Sequence, residues 1–402
     1  MNVKTTHTTP GLLKSPFYPR LAPFNEAEQW GDWNGYANAL FYKDAYTEYF
    51  TTRNSCGVYD VSPMCKYRIR GDDAEAMLNR MVTRDVSKQG INKVAYNVWC
   101  DDRGKVIDDG TIFRFAQNDF ILMCAEPALD WLMLACEGFT AISVHEETEE
   151  IAGLALQGPT SCALLKALQL AGVENLTPFE IGQFAFPADN PVTQLTISRT
   201  GFTGDLGYEL WIAPEHALLL WDQLFARGEP YGLHPYGEES LDMARIEAGF
   251  ILPEVEFHGA LHTVNLDHDH SPFELSLDWM VNLKKPHFNG REALIKEKQQ
   301  GSPWRLLKLD IPGEKVAENA ILYAEKICKT EIGYVTSALN SPVTKANIAL
   351  AMVKGSHIDK DIFAEIYYQK ELRWNRKVRK CTVQQKPFWW PDRGRATPPA
   401  DY

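Results

Sequence analysis

The chain has 402 residues, 45% of them hydrophobic and 23% charged, with a formal net charge of −12. That length holds roughly two or three domains of about 150 residues, and the composition excludes a mainly disordered, collagen-like or coiled-coil chain. No apolar run approaches the ~18 residues of a membrane span, the opening MNVKTTHTTPGLLKSPFYPR lacks the apolar core of a leader, and the acidic balance argues against nucleic acid, so a cytoplasmic protein with no nucleic-acid or membrane partner is expected.

Residues 1–40 mix Trp, Tyr and Pro without clean periodicity and read as a packed aromatic arm. Residues 40–56 have helical spacing of apolar positions and stop at Gly57, which reads as a helix C-cap. Tyr67–Arg70 alternates and ends in Gly71-Asp72-Asp73, a strand and a turn. Asp73 is placed to cap a helix over Ala74–Met81 with Leu78 and Met81 inward. Val94–Cys100, the turn Asp101-Asp102-Arg103-Gly104 and Val106–Phe115 make a predicted hairpin. A strand at Asp119–Cys124 and a helix over 127–137 follow. The pattern returns as strand Gly153–Gln157, a break at Gly158-Pro159, helix Ser161–Ala171, strands near 193–199 and 207–213, and helices at Ala217–Phe225 and 237–248. Gln299-Gln300-Gly301-Ser302-Pro303 reads as a linker. Trp304–Ile311, Ile332–Ser337, Ile348–Val353 and Ile362–Tyr368 read as strands of a small barrel. The terminal PPADY is expected to be mobile.

The eight cysteines form no C-x-x-C pair and sit among apolar neighbours, so buried reduced thiols are expected. The run Glu146-Glu147-Thr148-Glu149-Glu150 reads as a solvated surface. No block of the chain reads as strongly basic.

Two stretches combine turn residues with charge beyond the needs of a plain core. In Tyr96–Gly110, Asp108 and Asp109 lie inside an apolar strand pattern. Alternation puts them on opposite faces, so at most one faces solvent freely. The other must be paired, bound to a ligand or shifted in pKa; the plainer reading is a strand-end pair that caps a turn before Gly110. In Arg199–Leu210, Gly201, Gly204 and Gly207 allow close backbone approach and positive φ. They open a strand rather than a helix, which excludes a dinucleotide fingerprint. Glu209, between Tyr208 and Leu210, needs a donor pair if buried; the plainer reading is a structural hairpin with an internal ion pair. His258 and His262, with His268 and His270 beyond, would suit zinc if the first two shared a helix face. The H-E-x-x-H glutamate is missing, and a polar loop without metal is expected.

Taken in order, the motifs resemble a known family. They are Gly57–Met64, Asn79–Val86, Gly104–Asp109, Leu156-Gln157-Gly158-Pro159, Arg199–Gly204, Gly207-Tyr208-Glu209-Leu210, Arg245-Ile246-Glu247-Ala248-Gly249, Phe288–Leu294 and Gly333–Ser337. The chain resembles the folate-dependent aminomethyltransferases: the glycine cleavage T-protein and its relatives, which include the folate domains of sarcosine and dimethylglycine oxidases and folate-dependent demethylases. The resemblance implies an α/β (α+β) fold, a three-domain cloverleaf around a central folate channel with a small C-terminal β-barrel domain. It implies an arm over 1–40, a folate-binding domain of two interwoven α/β subdomains over 41–298, and a barrel over 303–390. It implies tetrahydrofolate as cofactor, Asp109 as the catalytic carboxylate near folate N5, Glu209 at the pterin, and Tyr96 and Met64 lining the channel. Physical chemistry agrees with these roles. The pterin edge offers two parallel donors that a buried carboxylate accepts as a fork, and a fixed carboxylate stabilises a cation made or cancelled at N5.

The chain departs from the T-protein pattern at Leu241, where T-proteins carry Arg, and at Pro63, where they carry His. Its arm, with Trp30, Trp33, Tyr36, Phe41 and Tyr42, is longer and more aromatic. Aromatic faces suit a methylated onium group. The expected activity is therefore transfer of a methyl or methylene unit to tetrahydrofolate from a small-molecule donor, a methylated amine, sulfonium or ether. One alternative is the aminomethyltransferase of the glycine cleavage system, which would need a lipoyl carrier protein. Another is a non-catalytic folate-binding accessory protein of iron–sulfur metabolism, against which the retained Asp109 argues.

Overall fold

The computed structural model describes residues 11–264 and 268–398. The chain runs through α1 (Tyr18–Leu21), β1 (Trp30–Trp33), β2 (Tyr36–Ala39), α2 (Ala45–Asn54), β3 (Cys56–Asp60), β4 (Cys65–Arg70), α3 (Ala74–Met81), β5 (Lys93–Cys100), β6 (Val106–Ala116), β7 (Asp119–Cys124), α4 (Leu129–Ala135), β8 (Ser143–Glu146), β9 (Ala152–Gln157) and α5 (Ser161–Ala167). It continues through β10 (Ile181–Phe186), β11 (Thr193–Ser198), β12 (Gly207–Ile212), α6 (Ala217–Gly228), β13 (Leu233–Pro235), α7 (Glu238–Ala248), α8 (Arg291–Gln300), β14 (Trp304–Asp310), β15 (Ile321–Tyr323), β16 (Glu331–Asn340), β17 (Asn347–Lys354), β18 (Phe363–Lys370), β19 (Arg373–Lys380) and β20 (Thr382–Gln384).

The strands order as a six-stranded sheet β10-β11-β12-β9-β3-β13, a five-stranded sheet β5-β6-β7-β4-β8 and a seven-stranded sheet β19-β18-β15-β16-β17-β14-β20, beside the β1–β2 hairpin. The chain leaves the six-stranded sheet after β3, builds the five-stranded sheet, and returns at β9. The seven-stranded sheet curls into a half-barrel at the C-terminal end.

Alternation decides what each sheet buries. Leu154, Leu156, Tyr208 and Leu210 share a core with Leu164 of α5, Leu220 of α6, and Phe17 and Leu21 of the arm. Ile112, Phe120 and Leu122 share another with Leu78 of α3 and Leu132 of α4. The intervening residues turn the other way and meet: Ala155 and Trp211 from one sheet join Phe113, Ile121 and Met123 from the other. The Phe113 and Trp211 rings touch edge to face at 6.1 Å. Two sheets therefore face each other, with helices on their outer sides. Among the described residues no helix is long and apolar enough to cross a membrane.

Several expectations change. The helix placed over 40–56 spans only Ala45–Asn54, capped by Asp44, whose carboxylate accepts from the Thr47 N–H at 2.8 Å. Gly57 is not a cap; it lies inside buried β3, where a Cβ would come 2.5 Å from the Tyr236 ring. Asp73 precedes α3 but makes no cap; it accepts instead from the Thr140 and Ala141 N–H groups across the sheet edge. A strongly basic block does exist, since Arg373, Arg376, Lys377, Arg379 and Lys380 all fall on β19. The eight cysteines are free, six of them buried. The last four residues of PPADY, like residues 1–10 of the arm, lie outside the described residues.

A buried ion pair joins the layers. Arg53 of α2 donates to Glu247 Oε2 of α7 through Nη2 at 2.6 Å and Nε at 3.2 Å. Glu247 also accepts from the Tyr49 hydroxyl at 2.6 Å and from the Ser341 hydroxyl at 2.5 Å, which comes from the turn between β16 and β17. Arg53 Nη1 donates to the Thr203 carbonyl at 2.8 Å and lies 3.5 Å from Asp205, which Arg393 meets at 2.6 Å. One half-turn away on α7, Arg245 pairs with Glu256 at 2.7 Å and donates to Ser337 of β16 at 2.9 Å. Glu247→Ala leaves a buried guanidinium without its counter-charge and should cost about 3–5 kcal/mol, read as a lower urea midpoint. Glu247→Gln keeps an acceptor and should cost less; wild-type midpoints in both variants would remove the pair from this role.

Candidate functional site

Strands β5 and β6 pair with Val98 opposite Asp109 and Tyr96 opposite Thr111. Tyr96 is thus the diagonal neighbour of Asp109 on one face, and its hydroxyl donates to Asp109 Oδ2. Asp109 shares that face with Phe113, so it points into the space between the two sheets. Asp108 sits opposite Trp99 and shares the face of Ile112, toward α3 and α4. Asp108 is 5% exposed and Asp109 9%.

Burial pushes both carboxyls up. For Asp109 the Tyr96 hydroxyl works against that rise. Asp108 has weaker help: its Oδ1 accepts the Asp109 N–H at 2.8 Å, while its Oδ2 has no hydrogen bond among the described residues. The charges of Asp109, Glu126 and Glu254 push Asp108 further up. The proton therefore goes to Asp108 first, and Asp109 is the carboxylate that holds the charge.

On the facing sheet, Ser198 lies opposite Glu209, Glu209 opposite Ala155, and Ala155 opposite Tyr59. This row shares the face of Trp211, so Glu209 looks toward the Asp109 sheet. The Thr200 hydroxyl at 2.5 Å and the Ser198 hydroxyl at 3.4 Å both reach Oε2. Oε1 accepts no hydrogen bond from the described residues. Burial raises the Glu209 carboxyl, and the two hydroxyls act against the rise. The small Ala155 leaves a floor beside the carboxylate. Beyond it Tyr59 stacks between Tyr236 at 5.4 Å and Trp33 at 6.2 Å. Burial first, then the charge of Glu209, pushes the Tyr236 hydroxyl up.

Met64 packs against the same inter-sheet cluster, as do Trp33 and Leu241. Its carbonyl accepts from the buried Lys66 amine at 2.8 Å, and burial lowers that amine to about 8. A separate open cleft of about 290 Å³ lies at the edge of the two sheets, lined by Arg68, Phe115, Met123, Gln194, Thr196 and Trp211; none of Tyr96, Asp109, Glu209 or Met64 lines it.

Of the residues named from sequence, Tyr96 and Asp109 touch. Glu209 lies on the other sheet and bonds to neither, Met64 packs with the inter-sheet cluster, and the Tyr96 ring packs against the cluster shared with the half-barrel, 6.4 Å from the Trp279 ring. Among the described residues of the arm only Trp33 joins the inter-sheet cluster; the Trp30 ring lies tilted against Tyr18 at 5.0 Å and Tyr42 is buried in the outer core. Of the three spaced glycines only Gly204 has positive φ, at 69°. Gly201 and Gly207 instead press on the Gln157 amide, where a Cβ would fall 2.1 Å away. That amide donates to the Thr200 carbonyl at 3.3 Å, which helps hold Thr200 against Glu209. His258 pairs with Glu254 at 2.8 Å, and residues 258–262 form no helix. Among the described residues no group of three metal-ligating side chains converges. Sequence reasoning misses Ser198, Thr200 and Tyr236. Their only signal is strand register, which no local pattern encodes.

Residues 21–285 match the GCVT N-terminal domain, and residues 305–389 match the glycine cleavage T-protein C-terminal barrel domain. An aminomethyltransferase of Caldanaerobacter subterraneus is 31% identical over 382 residues, covering 94% of this chain and 96% of the relative. The trimethylamine-oxide aldolase of Ruegeria pomeroyi is 34% identical over 366 residues, covering 88% of this chain but 44% of that longer protein. The crystal structure of the glycine cleavage system aminomethyltransferase T from Bartonella henselae shares the fold, with a TM-score of 0.78 at 22% identity over 94% of this chain and 98% of that one.

Tyr96→Phe removes the donor that favours ionised Asp109. The Asp109 carboxyl should titrate about one pH unit higher, read by carbon-13 NMR of the aspartate carboxyls; an unmoved titration would separate Tyr96 from this charge. Because the folded carboxyls of Asp108 and Asp109 are raised, the native chain binds more protons than the unfolded chain above about pH 4, and their contribution to stability falls as pH rises. Asp108→Asn, which copies the protonated form, should flatten that fall, measured as urea midpoints at about pH 5 and about pH 8; an unchanged slope would contradict the burial of a raised carboxyl.

Proposed function

This chain belongs to the glycine cleavage T-protein (GCVT) family of folate-dependent aminomethyltransferases, which are one-carbon transferases, and from that premise we propose that it moves a methyl or methylene unit from a small methylated donor onto N5 of tetrahydrofolate. The observation that carries this reading is the Tyr96–Asp109 hydrogen bond on one sheet, with the Glu209 carboxylate held by Thr200 and Ser198 on the sheet packed against it. Tetrahydrofolate fits the residues present: Glu209 has one oxygen held by Thr200 and Ser198 and the other open beside the small Ala155. That open side suits the parallel donors of a pterin edge. When bound, tetrahydrofolate supplies the nucleophilic N5 amine.

Asp109 acts as the electrostatic group. Its charge is set by the Tyr96 hydroxyl and little screened by water, so it favours the cationic state that appears or is discharged during transfer. Asp108 stays neutral and holds the Asp109 backbone N–H. Met64, Trp33 and Tyr59 keep the space apolar and limit water.

A methylated amine donor is supported by the relative named for trimethylamine oxide. Leu241 and Pro63, at positions where T-proteins carry Arg and His, support the same choice, and Trp33 adds an aromatic face for an onium group. The second reading, aminomethyl transfer from a lipoyl carrier protein, is supported by the relatives named aminomethyltransferase. The free thiols suit a cytoplasmic site of action.

The test is incubation with tetrahydrofolate and methylated amines, amine oxides, sulfoniums or aryl methyl ethers, with the folate product identified by mass spectrometry. Methyl-folate formed without a carrier is expected. Methylene-folate formed only with a lipoyl carrier would favour the second reading. Asp109→Asn should lower turnover by ~10²–10³ while tetrahydrofolate affinity stays within a few-fold; loss of binding in a folded variant would contradict the role. Glu209→Ala should weaken binding by about 1–3 kcal/mol, and an unchanged dissociation constant would refute the pterin contact.

A further inference from the structure

The register of β18 and β19 separates charge in a way the linear sequence hides. Strand β19 is the sheet edge and, among the described residues, pairs only with β18. Lys370 lies opposite Arg373, Tyr368 opposite Asn375, Ile366 opposite Lys377, and Ala364 opposite Arg379. Alternation puts these pairs on one face of the ribbon, and Arg376, Lys380 and Glu365 on the other.

On the second face the cations are matched. Arg376 pairs with Glu365, and Lys380 with Asp361 at 2.8 Å. On the first face Lys370, Arg373, Lys377 and Arg379 have no carboxylate partner among the described residues. Lys315 joins them from the loop after β14. Its amine lies 5.1 Å from the centre of the Tyr368 ring, and that of Lys377 lies 5.0 Å from it. Five cations without a carboxylate partner among the described residues thus share this face, two of them over one phenol ring, in a chain whose net charge is −12.

The backbone adds a second feature. The hairpin closes through Glu371 and Leu372, both with positive φ, at 52° and 61°. This two-residue turn makes Lys370 and Arg373 a hydrogen-bonded pair. The N–H and C=O groups of Trp374, Arg376, Val378 and Lys380 then point outward, and no strand among the described residues meets them. Lys377 and Arg379 stand about 6.8 Å apart along the strand, the repeat of alternate side chains in an extended peptide.

We propose that the free edge of β19 binds an extended, carboxylate-rich segment of a partner protein, added as the next strand with its acidic side chains against Arg373, Lys377 and Arg379. A peptide answers both features, the open backbone and the unmatched charge. A nucleic acid answers only the charge, and it meets the acidic field of the rest of the chain. Blunting the edge against aggregation would need only the charges that Arg376 and Lys380 already carry.

The probe is a synthetic peptide of about ten alternating glutamate and valine residues, titrated by fluorescence anisotropy into the full chain. Binding is expected at low salt, weakening as salt rises, with slowed hydrogen exchange at the β19 amides. The combined variant Arg373→Ser, Lys377→Ser, Arg379→Ser should lose about tenfold in affinity. The control Arg376→Ser, Lys380→Ser should change it less than about twofold. Both should retain the wild-type far-ultraviolet circular dichroism and urea midpoint, which shows that they fold. No peptide binding, equal losses in the two variants, unchanged exchange at β19, or tighter binding of a single-stranded oligonucleotide of equal charge would each overturn the proposal.

Discussion

The buried contact between Arg53 and Glu247 is the constraint on which the arrangement of layers rests. Arg53 is 2% exposed and Glu247 fully buried, so neither charge is relieved by water. Such a pair adds little net stability compared with apolar packing, but it tolerates few geometries. Here it ties α2, which leads into β3, to α7, which follows β13. Strands β3 and β13 are neighbours, and they carry Tyr59 and lead to Tyr236. Ser341 brings the half-barrel to the same carboxylate. The aromatic wall beside Glu209 is thus set by a polar contact on the far side of the helix.

Within the inter-sheet space, small asymmetries decide which group does what. Asp108 and Asp109 are adjacent, and burial raises both. One phenol hydroxyl separates them, because Tyr96 sits diagonally across β5 from Asp109 and no comparable donor among the described residues reaches Asp108 Oδ2. Glu209 shows the same economy. Thr200 and Ser198 converge on one oxygen and leave the other open. A carboxylate held in this way keeps its direction without using up its capacity to accept.

The scaffold is common to proteins with different substrates, so the fold alone says little about the donor. The 22% identical structure from Bartonella henselae has the same fold, so the choice of donor must come from the side chains that border the site. Leu241 and Trp33 pack against the inter-sheet cluster. The unmatched cations of β19 are different again. They lie on a sheet edge with no role in holding the half-barrel core, which is built from Leu309, Leu322, Ala349, Ala351 and their neighbours.

Much of the architecture was legible in the chain because it depends on local alternation. The strand Asp119–Cys124 and the helix Ala74–Met81 have the bounds their apolar spacing predicts. The opposite orientation of Asp108 and Asp109 follows from the period of a strand. Gly57 was misread because a glycine after a helical pattern looks like a cap, whereas its reason lies in the Tyr236 ring, almost two hundred residues away. Ser198 beside Glu209, Tyr96 beside Asp109, and the sorting of cations on β19 all depend on register between strands. The chain by itself determined which faces are apolar and where carboxylates must be buried, since those are set by neighbours along the backbone. Only the tertiary structure decided which donor meets which carboxylate and which cations go unmatched, because hydrogen bonds and ion pairs act across a few ångströms of space that sequence separation does not measure.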